Sequence, residues 1–136
     1  VEALIEQLSA ADLVVGFNIL DFDYQVLSAY SPVDFGSWNT FDILKDIHER
    51  LGYRLSLDSL ATATLESPKS ANGLDAIRWY REGKIEKIID YCTRDVDITF
   101  RLFEHGLKEN YLLFDHKRAG RVKLNLDWNL SVMLGR

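Results

Sequence analysis

Two periods of hydrophobic and polar positions alternate along this chain and mark where helices give way to strands. Leu4, Ile5 and Leu8 share one face of a short amphipathic helix predicted from Val1 to about Ala11. Leu13-Val-Val-Gly-Phe17 is continuously apolar and rich in β-branched residues, the pattern of a buried strand. Asn18 to Asp21 turns the chain, a helix from about Phe22 to Ala29 follows, and Ser31-Pro32 stops it. Ser37 to Asp42 predicts a second, weaker strand. Ile43 to Leu51 is amphipathic through Leu44, Ile47, His48 and Leu51, with Gly52 as its left-handed C-terminal cap. Ser56 is placed to cap a further helix through Leu65. Residues 67–73 read as a polar loop. Leu74 to Arg81 reads as a short helix, broken at Gly83.

Ile85 to Leu107 predicts the longest helix. At about 100° per residue, Ile85, Ile88, Cys92, Val96, Thr99, Leu102, Phe103 and Leu107 form an apolar stripe expected to face the core. Asp95 falls within that stripe, with Tyr91 one turn earlier on the same side; Asp90 and Asp97 fall on the opposite face. An ionised carboxylate pointed inward needs a cation, a metal ion or several donors, because desolvation is otherwise costly. Arg78 and Arg101 are candidate partners, and a metal ion is the other. After Asn110 the period shortens. Tyr111 to Phe114 and Val122 to Trp128 predict two strands, and His116, Lys117, Arg118 and Arg121 crowd the turn between them.

The order helix, strand, helix, strand, helix implies an α/β arrangement with two parallel strands, whose ligands belong at the strands' carboxyl ends. Asn18 and Asp23 follow the first of those ends. At 136 residues, with 47% hydrophobic and 27% charged, the chain is sized for one globular domain. Its one cysteine, Cys92, is read as an inert core thiol. It excludes an internal disulfide and cysteine-cluster zinc sites, and points to a reducing compartment, the cytoplasm. No apolar run approaches a membrane span, so no membrane partner is expected. The net charge of −5 disfavours generic gripping of duplex DNA.

Two segments carry a more specific signal. Gly16-Phe-Asn-Ile-Leu-Asp-Phe-Asp23 resembles the second motif of the ribonuclease-H-like 3′-to-5′ exonucleases, Asn, three residues, Phe, Asp. Tyr91-Cys-Thr-Arg-Asp95 resembles their third, Tyr, three residues, Asp. Order and separation fit the Tyr-containing branch of that superfamily over roughly residues 1–110, with residues 111–136 as a C-terminal strand extension. The resemblance implies hydrolysis of phosphodiester bonds at the 3′ end of single-stranded DNA or RNA by two Mg²⁺ or Mn²⁺ ions. Asp23 and Asp95 would be two of four carboxylate ligands, and Tyr91 would aim the attacking water. Asn18 would hydrogen-bond the terminal nucleotide and Phe22 would pack on it.

The family's first motif, Asp-x-Glu on the first strand, supplies the other two ligands and occurs nowhere in this chain. Asp42, Asp46 and Glu49 form the nearest acidic cluster, in the wrong order along the chain. The expected fold is therefore a partial, helix-rich version of the ribonuclease-H-like exonuclease fold, one domain lacking its N-terminal strands and inactive as this fragment. The alternative is a non-catalytic nucleic-acid-binding or assembly module. The apolar first strand would expose an unpaired edge, for a second copy of the chain or for the C-terminal strands. Lys69, Ser70 and Asn72 are weaker phosphate candidates; the basic turn is a weaker nucleic-acid contact. Trp79 and Tyr80 are expected in the core, and His48 and His105 are read as structural.

Overall fold

The computed structural model describes residues 2–67 and 73–135. Lys69, Ser70 and Asn72 lie outside the described residues. The chain is mixed α/β and helix-rich, and it falls into two compact units: one runs to Leu55 and takes in the segment from Trp128, the other is Ser56–Asp127.

The first unit is built on two short parallel strands. Helix α1 (Glu2–Ser9) leads to β1 (Val14–Gly16), which pairs with β2 (Thr40–Asp42) so that Gly16 lies opposite Asp42. After β1 the chain enters a wide π-helical turn, Ile19–Asp23, closed by the Tyr24 N–H donating to the Ile19 carbonyl, and continues as α2 (Tyr24–Ser28). Helical structure therefore begins earlier than the pattern predicts. Asn18 adopts φ 62°, ψ 30°, which reverses the chain at once and starts the turn at Ile19. Ile5, Ile19, Tyr24 and Phe35 make the core, with Val14, Leu20, Leu27 and Trp38 against it. Tyr24, Phe35 and Trp38 meet with ring centroids 4.9–5.8 Å apart, and the Tyr24 hydroxyl is 2.6 Å from Thr40 Oγ1. Helix α3 (Ile43–Leu51) buries Ile43, Leu44 and Ile47 and ends at Gly52 with φ 81°, as the pattern predicts.

The second unit holds α4 (Leu57–Leu65), α5 (Gly73–Arg81), α6 (Ile85–Glu109) and an antiparallel hairpin of β3 (Tyr111–His116) and β4 (Gly120–Asn125). Ser56 caps α4 by accepting the Ser59 N–H at 3.0 Å. Helix α4 packs on both α6 and β3, and Thr64 locks the latter contact: its hydroxyl donates to the Leu113 carbonyl at 3.0 Å and accepts the Leu113 N–H at 2.9 Å. An α-helical side chain thus satisfies backbone groups on the edge of β3.

The hairpin corrects two expectations. The second strand starts at Gly120 and stops at Asn125 instead of spanning Val122 to Trp128, because Arg121 and Gly120 pair with Asp115 and His116 and leave only residues 117–119 to turn. The alternation survives beyond the strand: Leu124, Leu126 and Trp128 are all buried. The C-terminal strands pair with each other, so they do not extend β1, whose one hydrogen-bonded neighbour among the described residues is β2.

Helix α6 shows the largest departure. Ile98, Leu102, Phe103 and Gly106 are buried, whereas Ile85, Val96 and Cys92 are exposed. The helix carries apolar residues on two faces. The inward line is Tyr91, Asp95, Ile98, Leu102, Gly106, spaced four, three, four and four residues; Ile85, Ile89, Val96 and Phe100 share the other side. The first line turns inward, with Leu102 and Gly106 buried, on a helix that packs on α4 and β3, while Cys92 is exposed and no core thiol. Val96, 70% exposed, should therefore tolerate Val96→Ser with a stability change within about 0.5 kcal/mol, read by urea denaturation. A loss above about 2 kcal/mol would show this face to be packed.

Candidate functional site

In the first unit, the carboxyl ends of β1 and β2 place three features of the second motif together. Asn18 sits in the left-handed region, where its short amide side chain is tolerated, and its Oδ1 accepts a hydrogen bond from Arg54 at 3.2 Å. Phe22 projects from the π-helical turn with 60% of its surface exposed, a ring without a place in the core. Asp23 closes that turn. Its carboxyl is held above the ordinary aspartate range, by partial burial first and by the Asp42 carboxylate second.

Asp42 was legible in the sequence as the end of the second strand, just before a helix, and as part of an acidic cluster. The structure separates that cluster. Asp42 is buried and directs both oxygens at backbone N–H groups, Asp46 binds Arg50 Nε at 2.7 Å and Trp128 Nε1 at 2.8 Å, and Glu49 is exposed. Asp42 lies in the first unit at the point where strand passes to helix, a position at which an aspartate reads as an N-cap.

In the second unit, α6 brings Tyr91 and Asp95 together one turn apart, close enough for the Tyr91 hydroxyl to favour the ionised Asp95 carboxylate. Neither Arg78 nor Arg101 is the partner of Asp95: Arg78 pairs along its own helix with Asp75 and Glu82, and Arg101 stands against the shallow pocket of Leu65, Glu104 and His105. The charge near Asp95 comes instead from Asp58, in the first turn of α4, and from Arg94. Burial and then Asp58 push the Asp95 carboxyl up, while Tyr91 and Arg94 pull it partly back. The Tyr91 hydroxyl is raised too, by burial first and then by Asp95 and Asp58, so it stays a neutral donor at pH 7. Trp79 packs edge-on against Tyr91 with centroids 6.3 Å apart and carries Lys87 over its face at 5.9 Å. Tyr80, expected in the core, is 73% exposed, whereas its neighbour Trp79 packs on Tyr91 of α6.

The remaining candidates lie elsewhere on the two units. His105 Nδ1 is 3.0 Å from the Tyr111 carbonyl and joins α6 to the start of β3. His48 is exposed on α3. In the basic turn, His116 Nδ1 accepts the N–H groups of Arg118 and Ala119, and Arg121 is paired with Asp115 at 2.8 Å, leaving Lys117 and Arg118 as the exposed cations.

The donor set for a metal ion is all oxygen, which suits a hard divalent cation. Asp23 and Asp95 each present a carboxylate that a like-charged neighbour destabilises, a deficit that a cation would relieve. Asp42 is committed to N–H groups and is no ligand. Among the described residues, no group of three or more His, Cys, Asp or Glu stands close enough to hold a metal ion. Asp23 and Asp95 therefore fit as single donors, and the chain's described residues do not by themselves complete a site.

The raised carboxyl of Asp95 has a measurable consequence. Between the ordinary aspartate value of 3.8 and its own higher value, the folded chain binds more protons than the unfolded one, so stability from this group is full at low pH and falls as pH rises through that window. Asp95→Asn, which keeps an acceptor for Tyr91 and removes the charge, should raise Tm by about 1–3 °C at pH 7. The gain should vanish below the ordinary aspartate range. A lower Tm for the variant at pH 7 would refute this account.

No helix among the described residues is long and apolar enough to cross a membrane. No curated protein and no solved structure matches the chain. A family model, RNase_H_2 of the RNase H superfamily, matches residues 1–106, which span the β1–β2 pair, the Asn18–Asp23 turn and the Tyr91–Asp95 pair. With that match covering most of its length, the chain belongs to the RNase H superfamily, whose fold is of the nuclease type.

Proposed function

We propose that the chain is part of a metal-dependent 3′-to-5′ exonuclease domain acting on single-stranded DNA or RNA. The observation that carries this reading is the placement of Tyr91 and Asp95 one turn apart on the inward line of α6, within the family-matched segment. Around an aspartate on that line, burial and another acid outweigh the pull of a neutral hydroxyl and of Arg94, whereas a structural carboxylate is held ionised by its salt bridge.

Each residue has a defined task. Asp23 and Asp95 supply oxygen donors for Mg²⁺ or Mn²⁺. Bound ions of this kind lower the pKa of water and neutralise charge on the phosphoryl oxygens. Tyr91, one turn from Asp95, is placed to orient its carboxylate, and the Tyr91 hydroxyl is the group that would hold the attacking water in line. Phe22 offers an exposed ring for the terminal base, and Asn18, with Arg54 on its amide oxygen, offers polar contacts to the nucleotide. Because Asp23 and Asp95 are two carboxylates only, the 136-residue chain alone is expected to bind these ions weakly and to cleave little.

The test uses the full-length polypeptide encoded by the gene and a 5′-labelled single-stranded oligonucleotide. A ladder of products shortened from the 3′ end, requiring Mg²⁺ or Mn²⁺ and abolished by chelation, is expected. Binding without metal-dependent cleavage would make the domain a non-catalytic module instead. A second copy added along the free edge of β1 is the homodimer this reading allows, and the mass of the chain in solution decides it.

A further inference from the structure

Asp42 carries more hydrogen bonds than a helix cap requires. Its Oδ1 accepts the N–H groups of Leu44 at 3.1 Å and Lys45 at 3.4 Å, which is the capping of α3. The same oxygen accepts the Asn18 N–H at 2.8 Å, and Oδ2 accepts the Leu20 N–H at 3.1 Å. Four backbone donors from two segments, 22 and 24 residues apart from Asp42 in the case of Leu20 and Asn18, converge on one carboxylate that is 6% exposed. The Gly16–Asp42 register of the parallel pair delivers it there, since the residue ending β2 must lie beside the loop leaving β1.

The two extra donors flank the reversal of the second motif. Asn18 holds a left-handed backbone, which its short amide side chain tolerates but does not by itself enforce. Leu20 N–H lies in the first turn of Ile19–Asp23 and has no carbonyl to accept it from within that turn. With both N–H groups tied to one buried anion, the direction in which the turn leaves β1 is set, and with it the positions of Phe22 and Asp23.

We infer that Asp42 is the positioning residue of the second motif: it is not a metal ligand, and its carboxylate clamps the Asn18 and Leu20 amides so that Asp23 is presented at the strand ends. This rests on the exonuclease reading for its functional meaning, but the clamp itself is tested without any cleavage assay.

In the wild-type 136-residue chain, the amides of Asn18 and Leu20 should exchange with solvent as slowly as those of α3, although they lie in a loop. Asp42→Asn keeps one oxygen but turns the other acceptor into a donor, so the exchange of Asn18 or Leu20 should rise at least about tenfold relative to Ile47, and both should rise in Asp42→Ala. Asn129→Ala removes a helix cap elsewhere in the same unit and should change exchange without altering that ratio. Where Asp42→Ala fails to fold, the wild-type rates and Asp42→Asn decide. Fast exchange at Asn18 and Leu20 in the wild type, or an unchanged ratio in Asp42→Asn, overturns the clamp. In the full-length polypeptide, Asp42→Asn should raise the Mn²⁺ concentration for half-maximal cleavage about tenfold, as loss of a supporting contact to a ligand does. Unchanged Mn²⁺ dependence in an active enzyme overturns the positioning role. A wild-type polypeptide that protects both amides yet cleaves nothing overturns the exonuclease reading and leaves the clamp standing.

Discussion

Asp95→Ala in the full-length polypeptide should lower metal-dependent cleavage of single-stranded nucleic acid by roughly three orders of magnitude and leave the fold intact. A ligand whose loss removes about 4 kcal/mol of transition-state charge stabilisation reduces the rate by that factor. The fold should survive because Asp95 is only partly buried and its charge opposes folding: burial and Asp58 both disfavour the ionised form. Alanine also releases the Tyr91 hydroxyl, which then faces solvent on a side chain that is itself only partly buried. The pairing of lost activity with kept or raised Tm separates a ligand from a structural acid. Nuclease activity surviving in the variant, read on the labelled oligonucleotide, would refute the assignment of Asp95. Tyr91→Phe is the companion measurement: the ring keeps its edge-on contact with Trp79 while the donor to Asp95 is lost, so a smaller fall in rate with unchanged stability is expected.

Gly16→Ala should destabilise the first unit by about 1–3 kcal/mol, the cost of overpacking. A Cβ on Gly16 would stand 2.3 Å from Ile19 Cγ2 and 2.8 Å from its Cδ1. Ile19 is buried in one cluster with Ile5, Tyr24 and Phe35 and opens the π-helical turn, so it cannot move away without carrying the turn with it. The same substitution should therefore disturb Phe22 and Asp23, and a lower urea midpoint should be accompanied by shifted amide resonances from Asn18 to Tyr24. The glycine is required by close approach: the chain must fold back over the end of β1 within three residues. A variant as stable as wild type, with those resonances unmoved, would contradict the packing described for Ile19.

Much of this architecture follows from local signals. Ser56 and Gly52 cap or close their helices as their side chain and backbone freedom dictate, and the β-branched run at Val14 and Val15 forms the parallel strand expected of it. Such features are readable because their determinants lie within a few residues. The second and third motifs were readable for the same reason, each being a spacing of chemical types along a single turn or helix. What they would meet was not. Asp58 stands in the first turn of α4, 37 residues before Asp95, and no periodicity links the two.

Helix α6 shows where local pattern runs out. Its sequence by itself determined a long amphipathic helix with Tyr91 and Asp95 one turn apart, because helical spacing is a property of the backbone. It offered two apolar lines at that spacing, and either satisfies the period. The tertiary structure chose the line through Ile98, Leu102 and Gly106, since the neighbours that exclude water there, α4 and β3, come from elsewhere in the chain. The same holds for Asp42. Its place at a helix start was legible, but its hold on Asn18 and Leu20 exists only because parallel pairing sets Asp42 beside Gly16. Local chemistry thus specified which residues are acids, caps and reversals. Long-range packing decided which of them face one another, because burial depends on what arrives from a distant part of the chain.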